Sequence, residues 1–517
     1  MKSSVIFLTI ITLIFPISIC AYPLDGYKDT GIRRVEAAHL AVLGEIRGRK
    51  QPPGALLPSQ NVELQLLDFP ELNLPRPDPG FTNQIIKLLG KDRSRYGVSV
   101  LDVSDPVHPL YAEYRSDHKQ NVGSVGKLLV GLAVFQALAD IYADDIVSRK
   151  KILRETIITA DNFIRTDHHT VRIWNPVSKK KVIRPLKIGD QGNLWEWLDW
   201  MLSASSNAAA ATVMKQAMLL LHYGKNYPVT NDESIQFFNN SSRKQLSQLF
   251  AKTFIEPINR NGLDSESFRQ GSFFTHYGKK KVPGTSSFGT ARQLTLFSLR
   301  MEQGRLVDTF SSREIKRLLY MTERRIRYAS SPALTESAVY FKSGSLYKCK
   351  PELDFVCKKY QGNVWNYMNS VAIIESPAGE NHLKYMVMLL SNVLYKNSAV
   401  EHQTLGTWIH RMIEAMHPRK QVTADNIPIA ATYGKRLIGY EEKRKERLQI
   451  VNIQAALDKL GYSVGGIDGR IGPNTYRAIK KFQSDYKIKV DGELSSNLLE
   501  KLNEAIVDHL QPIFLEQ

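Results

Sequence analysis

From Leu128 to Ile141 the chain reads Leu-Leu-Val-Gly-Leu-Ala-Val-Phe-Gln-Ala-Leu-Ala-Asp-Ile, with almost no polar face. A helix of this composition belongs at the centre of a domain, contacted from all sides. Its approach is equally constrained. Tyr96 to Val103 reads as a strand, Ser104-Asp105-Pro106 as a turn, and Leu110 to Tyr114 as a return strand. Ser124 and Lys127 stand at the N-terminal end of the apolar helix.

The rest of the chain builds around this helix. Residues from about Lys151 to Ser330 read as mostly helical with long loops. Asn193 to Leu202 is rich in tryptophan, and Ala208 to Leu221 in alanine and leucine. Strand character returns at Ala338–Phe341, Ser370–Ile374 and Tyr385–Leu390. The last two flank Pro377-Ala378-Gly379-Glu380-Asn381 and read as a hairpin. A helix follows from Val400 to Met416. Strands open the region, helices fill it, and strands with a helix close it. That order predicts an α+β domain: an antiparallel sheet flanked by helices, its first and last strands adjacent, with an inserted all-helical subdomain. The cleft between the two parts is the natural place for a site.

The chain has 517 residues, enough for more than one core. We divide it into a signal peptide (1–21), an N-terminal extension (22–80), the domain just described (81–417), a charged linker with a short helix (418–447) and a small unit (448–508). Prolines at 52, 53, 58, 70, 75, 77 and 79 break up the extension, which has room for one helix near Arg34–Ile46. In the last unit, apolar residues recur at helical spacing between the turns Asp468-Gly469 and Asp491-Gly492. Three short helices around one small core account for that pattern.

Lys2, an apolar run from Val5 to Ile19 and the small residues near Cys20-Ala21 describe a secretory leader. An uncleaved anchor or a lipidated Cys20 are the alternatives. No later stretch is long enough for a membrane span, so the mature chain is expected to have none. Cys349 and Cys357 would then be the remaining cysteines. In an exported protein they are expected to pair, the alternative being a reduced pair on a surface loop. The formal net charge of +18 favours anionic surroundings. Its lysine runs, Lys179–Lys181 and Lys279–Lys281, are short, and no nucleic-acid reader motif is present, so no nucleic-acid partner is expected.

Three polar signatures carry the chemistry: Ser124-Val125-Gly126-Lys127, Ser205-Ser206-Asn207 and Lys342-Ser343-Gly344. Ser-x-x-Lys also occurs at Ser116, Ser148, Ser178, Ser241, Ser345 and Ser484, so position decides. Only Ser124 opens a buried helix directly after a strand hairpin. Ser205 to Asn207 fall in an interhelical break, and the chain's one Lys-Ser-Gly lies on a predicted strand. Residues three apart on a helix share a face. A serine hydroxyl needs a nearby base, and a lysine serves as one when burial and a second cation depress its pKa.

This ordered trio resembles the penicillin-recognising serine enzymes, the serine β-lactamases and D,D-peptidases, over about Phe81 to His417. The resemblance implies Ser124 as acylated nucleophile, Lys127 as its base and Ser205 as proton relay to the leaving nitrogen. It also implies that Asn207 binds the acyl side-chain amide and that Lys342 and Ser343, beside Gly344, bind the substrate carboxylate. The N–H groups of Ser124 and Ser345 would form the oxyanion hole. The chain departs from the β-lactamases of this group in having no Glu-x-x-Leu-Asn segment between Ala208 and Thr290 to activate deacylating water. Glu256 and Glu266 read as surface carboxylates. The last unit resembles the small peptidoglycan-binding domain of wall hydrolases, on Gly461, Asp468-Gly469, Gly472, Thr475, Ala478, Phe482-Gln483 and Asp491-Gly492.

No Gly-x-Ser-x-Gly elbow, His-Glu-x-x-His zinc motif or phosphate loop occurs, and the reading calls for no metal or cofactor. His168-His169 lies in a polar stretch and reads as exposed. The expected protein is an exported, periplasmic or envelope-associated serine hydrolase acting on peptidoglycan stem peptides, with β-lactams as substrates or covalent inhibitors. The alternatives are a serine β-lactamase and a non-catalytic wall-binding protein.

Overall fold

Among the described residues, nine strands organise the chain: β1 (Tyr96–Asp102), β2 (Leu110–Tyr114), β3 (Ile157–Thr159), β4 (Thr170–Asn175), β5 (Lys180–Pro185), β6 (Gln191–Asn193), β7 (Ala338–Lys348), β8 (Trp365–Ser376) and β9 (Leu383–Asn392). The computed structural model describes residues 26–505, except 49–50, 59–60, 324, 381, 419–437, 466, 468–470, 496 and 503. The leader and the Asp468-Gly469 turn lie outside the described residues.

Five strands form one antiparallel sheet in the order β2-β1-β9-β8-β7. The first and last strands are neighbours, with Tyr96 opposite Ser391 and Asp102 opposite Tyr385. Period-two alternation divides the side chains between two cores. In β9, Tyr385, Val387 and Leu389 face helices Pro79–Leu89 and Ser398–Met416. Met386, Met388 and Leu390 join the larger core on the other face. Each fully buried aliphatic side chain contributes about 1.5–3 kcal/mol.

The apolar run becomes helix Lys127–Tyr142, in which every residue from Lys127 to Leu138 is buried. Among the described residues it is the one helix long and apolar enough to cross a membrane, and it is mostly enclosed by protein. Helix Asn207–Tyr223 packs against it. Ala209, Ala210 and Ala211 are completely buried, and small side chains there let the backbones approach.

Two parts differ from the sequence expectation. The insertion is chiefly helical, but it also holds two small sheets, β3 with β6 and β4 with β5. In β4 and β5, lysine and arginine interrupt the Val-Ile-Thr pattern, so the segment reads as polar loop. The Pro-rich extension is a belt on the larger core, to which Ile32, Val35, Leu57, Val62 and Leu66 belong. Its backbone pairs with distant segments, Gly54 N–H to Thr335 O at 3.0 Å and Leu66 N–H to Glu302 O at 3.1 Å. Gly54 is required, because a Cβ there would lie 2.1 Å from Ser337 O.

The C-terminal unit has helices Ile438–Lys459 and Pro473–Asp485 and a helical stretch at 497–502. The short helix expected in the linker is the start of the first of these. Val451, Leu457, Ile479, Phe482 and Leu498 form its core. Gln483 ties down the Asp-Gly turn: its Nε2 donates to Asp491 Oδ1 at 2.8 Å, and its Oε1 accepts from the N–H of Asp491 and Gly492. Phe482-Gln483 and Asp491-Gly492 therefore serve packing and turn geometry. Trp408, on helix Ser398–Met416, packs against this small core.

Candidate active site

The three signatures meet at the edge of the sheet. Ser124 sits in a tight 3-10 turn, Gly123–Gly126, which runs straight into the helix that begins at Lys127. The turn abuts edge strand β7. A Cβ on Gly344 would lie 2.1 Å from Val122 O and 2.7 Å from Ser124 N, so only glycine lets strand and turn touch. Ser205 adopts a left-handed backbone, φ +62°, in the break before helix Asn207–Tyr223. Ser206 caps that helix by accepting from Ala209 N–H.

Lys127 is completely buried. Its Nζ donates to Ser124 Oγ, to Ser205 O and to Asn207 Oδ1, each at 2.8 Å. The Phe274 ring lies 4.6 Å away. Burial pushes the Lys127 pKa down to about 7, opposed by the charge of Asp167. Lys342 Nζ donates to Ser205 Oγ at 2.8 Å and to Ser343 O at 3.0 Å. Burial, with Lys127 and Arg327 nearby, holds its pKa well below the ordinary lysine value. Ser124 and Ser205 are thus each bonded to a buried amine of depressed basicity. With its pKa near 7, Lys127 is neutral over part of the physiological range and can accept a proton from Ser124.

Ser124, Ser205, Asn207, Lys342, Ser343, Gly344 and Ser345 all line one cleft of about 740 Å³. Four contributors carry no signature in the sequence. Arg327 donates to Ser343 Oγ (2.7 Å), Ser345 Oγ (2.9 Å) and Tyr360 Oη (3.1 Å), placing a guanidinium beside the third signature. Tyr360 is the second. Asp167 accepts from Ser206 Oγ (2.9 Å) and Ala208 N–H (2.8 Å) and pairs with His169 Nδ1 (2.6 Å). Burial works against its ionisation, but the bonds from His169, Ala208 and Ser206 prevail and hold its pKa low. His169 is partly exposed, as expected for this polar stretch, yet it lines the cleft. Gln270 is the fourth: it is buried, and its Oε1 lies where a Cβ on Gly126 would come within 2.1 Å.

Glu266 is exposed and pairs with Arg269, and Glu256 is exposed; neither lines the cleft. Glu323 does line it, but is held by Arg34 at 3.9 Å and Arg172 at 3.6 Å. Cys349 and Cys357 form a disulfide just beyond β7, on the loop that leads to Lys359 and Tyr360 at the cleft wall.

Residues 446–502 match the family model described as "Putative peptidoglycan binding domain". Comparison with curated proteins finds no match. Among solved structures, the chain is similar to PBP-A (12% identity, 66% of this chain and 99% of that one, TM-score 0.42). It is also similar to a β-lactamase from Chitinophaga pinensis (12%, 65% and 98%, 0.41) and to the TLA-3 extended-spectrum β-lactamase (12%, 64% and 98%, 0.42). These are similarities of chain trace over about two thirds of this protein.

Proposed function

We propose that this chain is an exported active-site serine hydrolase that acts through an acyl-enzyme on peptidoglycan stem peptides. One observation carries the reading: the Lys127 amine, fully buried with no carboxylate bonded to it among the described residues, lies 2.8 Å from Ser124 Oγ. Neutral Lys127 takes the proton as Ser124 Oγ attacks the substrate carbonyl carbon. The N–H groups of Ser124 and Ser345 receive the oxyanion. Ser205, held by Lys342, gives its hydroxyl proton to the leaving nitrogen as the C–N bond breaks and takes up in exchange the proton that Lys127 received; water later hydrolyses the ester and restores Ser124. Lys342 and Ser343 hold the substrate's terminal carboxylate, joined by Arg327, and Asn207 holds an amide of the acyl side chain.

The peptidoglycan-binding match at 446–502 supports a wall substrate. A periplasmic or envelope location follows from the leader at residues 1–21. The test is covalent labelling with a fluorescent penicillin. Wild type labels and Ser124→Ala does not; equal labelling of both would end the assignment. Release of D-Ala from a D-Ala-D-Ala peptide, with slow penicillin turnover, marks the peptidase. Rapid penicillin turnover without peptide cleavage marks the β-lactamase instead.

A further inference from the structure

The β4–β5 hairpin stands apart from the cleft chemistry. Between Asp167 and Asp190 the sequence has six cations and no carboxylate. Arg184 is neutralised by Asp190, and Arg172 lies against Glu323. Lys179, Lys180, Lys181 and Lys187 are exposed and form no ion pair among the described residues. The base of the hairpin is anchored: Val171 and Trp174 are buried, and Trp174 Nε1 donates to Glu36 Oε2 at 2.7 Å. The outer part is not. Val177, at the tip, is 96% exposed, and Val182, Ile183 and Ile188 are each about half exposed.

We infer that this hairpin is a docking surface for an anionic lipid bilayer. Lysines alone would suit any polyanion and leave four exposed aliphatic side chains without a purpose. An anionic bilayer uses both: headgroups pair with the ammonium groups, and branched aliphatics enter the interfacial layer. Its shape also suits a surface contact, since a two-stranded ribbon with a valine at its tip can enter headgroups without unfolding. The chain's own layout agrees. Helix Arg33–Leu43 packs on β4 and holds the base of the hairpin against the domain, while Val177 at the tip stays exposed. The hairpin is also continuous with the cleft through Asp167 and His169, so docking fixes which way the cleft faces. The inference is independent of the acyl-enzyme reading.

Co-sedimentation of the exported chain with phosphatidylglycerol and phosphatidylcholine vesicles tests it. Binding is expected to the first only and to weaken with salt. Combined Lys179→Glu, Lys180→Glu and Lys181→Glu substitution should weaken it by about tenfold or more. Val177→Asp should weaken it while leaving the salt dependence in place. Circular dichroism spectra and unfolding midpoints of both variants should match wild type and serve as the folding control. Equal binding to both lipids, or an unaffected triple variant, overturns the inference. So does binding to soluble polyglutamate without vesicle binding, which would assign the hairpin to a polyanion.

Discussion

Two places in this molecule bury lysine completely and treat it in opposite ways. Lys316, behind the sheet, donates to Glu302 at 2.8 Å and Glu375 at 2.6 Å. Burial alone would depress its pKa, but the two carboxylates prevail and raise it. Lys127, in the cleft, has only neutral oxygens for hydrogen-bond partners, and burial takes it down to about 7. The difference lies in the company each amine keeps. Carboxylates turn a buried lysine into a fixed cation that ties elements together, whereas hydroxyl, carbonyl and amide partners leave a base.

The largest effect should come from removing that base. Lys127→Ala is expected to slow acylation by a fluorescent penicillin about 10²- to 10⁴-fold, read by stopped-flow labelling. Near-normal rates would place the base elsewhere. Removing the structural lysine should act on stability instead. Lys316→Met leaves two buried carboxylates unpaired and should cost about 3–5 kcal/mol in denaturant unfolding. Lys127→Met should be neutral or stabilising. The folded pKa of Lys127 lies below its unfolded value, so folding expels a proton. The destabilisation is full below about pH 7 and fades as pH rises toward the ordinary lysine value. The gain from Lys127→Met should therefore be greatest at low pH; a gain that grew with pH would contradict the shift.

Cys349→Ser opens a short loop and should cost about 2–3 kcal/mol in the chain-entropy model. It should also alter the acylation preference among β-lactams, because the loop carries Tyr360 to Arg327. A loss of stability with unchanged preference would reduce the disulfide to a staple. The smallest effect is electrostatic. The acylation rate should rise with pH through about 7 as Lys127 loses its proton. Asp167 raises that pKa, so Asp167→Asn should shift the rising limb to lower pH by up to about one unit. An upward shift would show that another charge controls Lys127.

The cleft was legible where chemistry and local pattern coincide. Ser124 and Lys127 were marked by the apolar helix behind them, and Lys342 by its strand. The paired strands β1 and β9 were legible because each is a short apolar run bounded by turn residues, buried on both faces. Arg327 and Asp167 were not, since each sits in an irregular segment whose partners lie far along the chain. Arg327 finds Ser343 and Tyr360 only once β7 and the disulfide loop are in place. The Lys316 cluster is hidden for the same reason: Glu302, Lys316 and Glu375 share no local motif. The glycines of the signatures gained a meaning that spacing does not carry, as Gly344 shows where strand and turn touch.

The Pro-rich belt sets an order on assembly. Gly54 leaves the ribosome nearly three hundred residues before Thr335, the residue whose carbonyl it bonds. Until the stretch before β7 has emerged, Leu57, Val62 and Leu66 have an unfinished surface to cover. Contacts between such remote segments carry a high loop-closure cost and form late. The belt is a closing seam: its residues are among the first of the domain to be made and among the last to be buried.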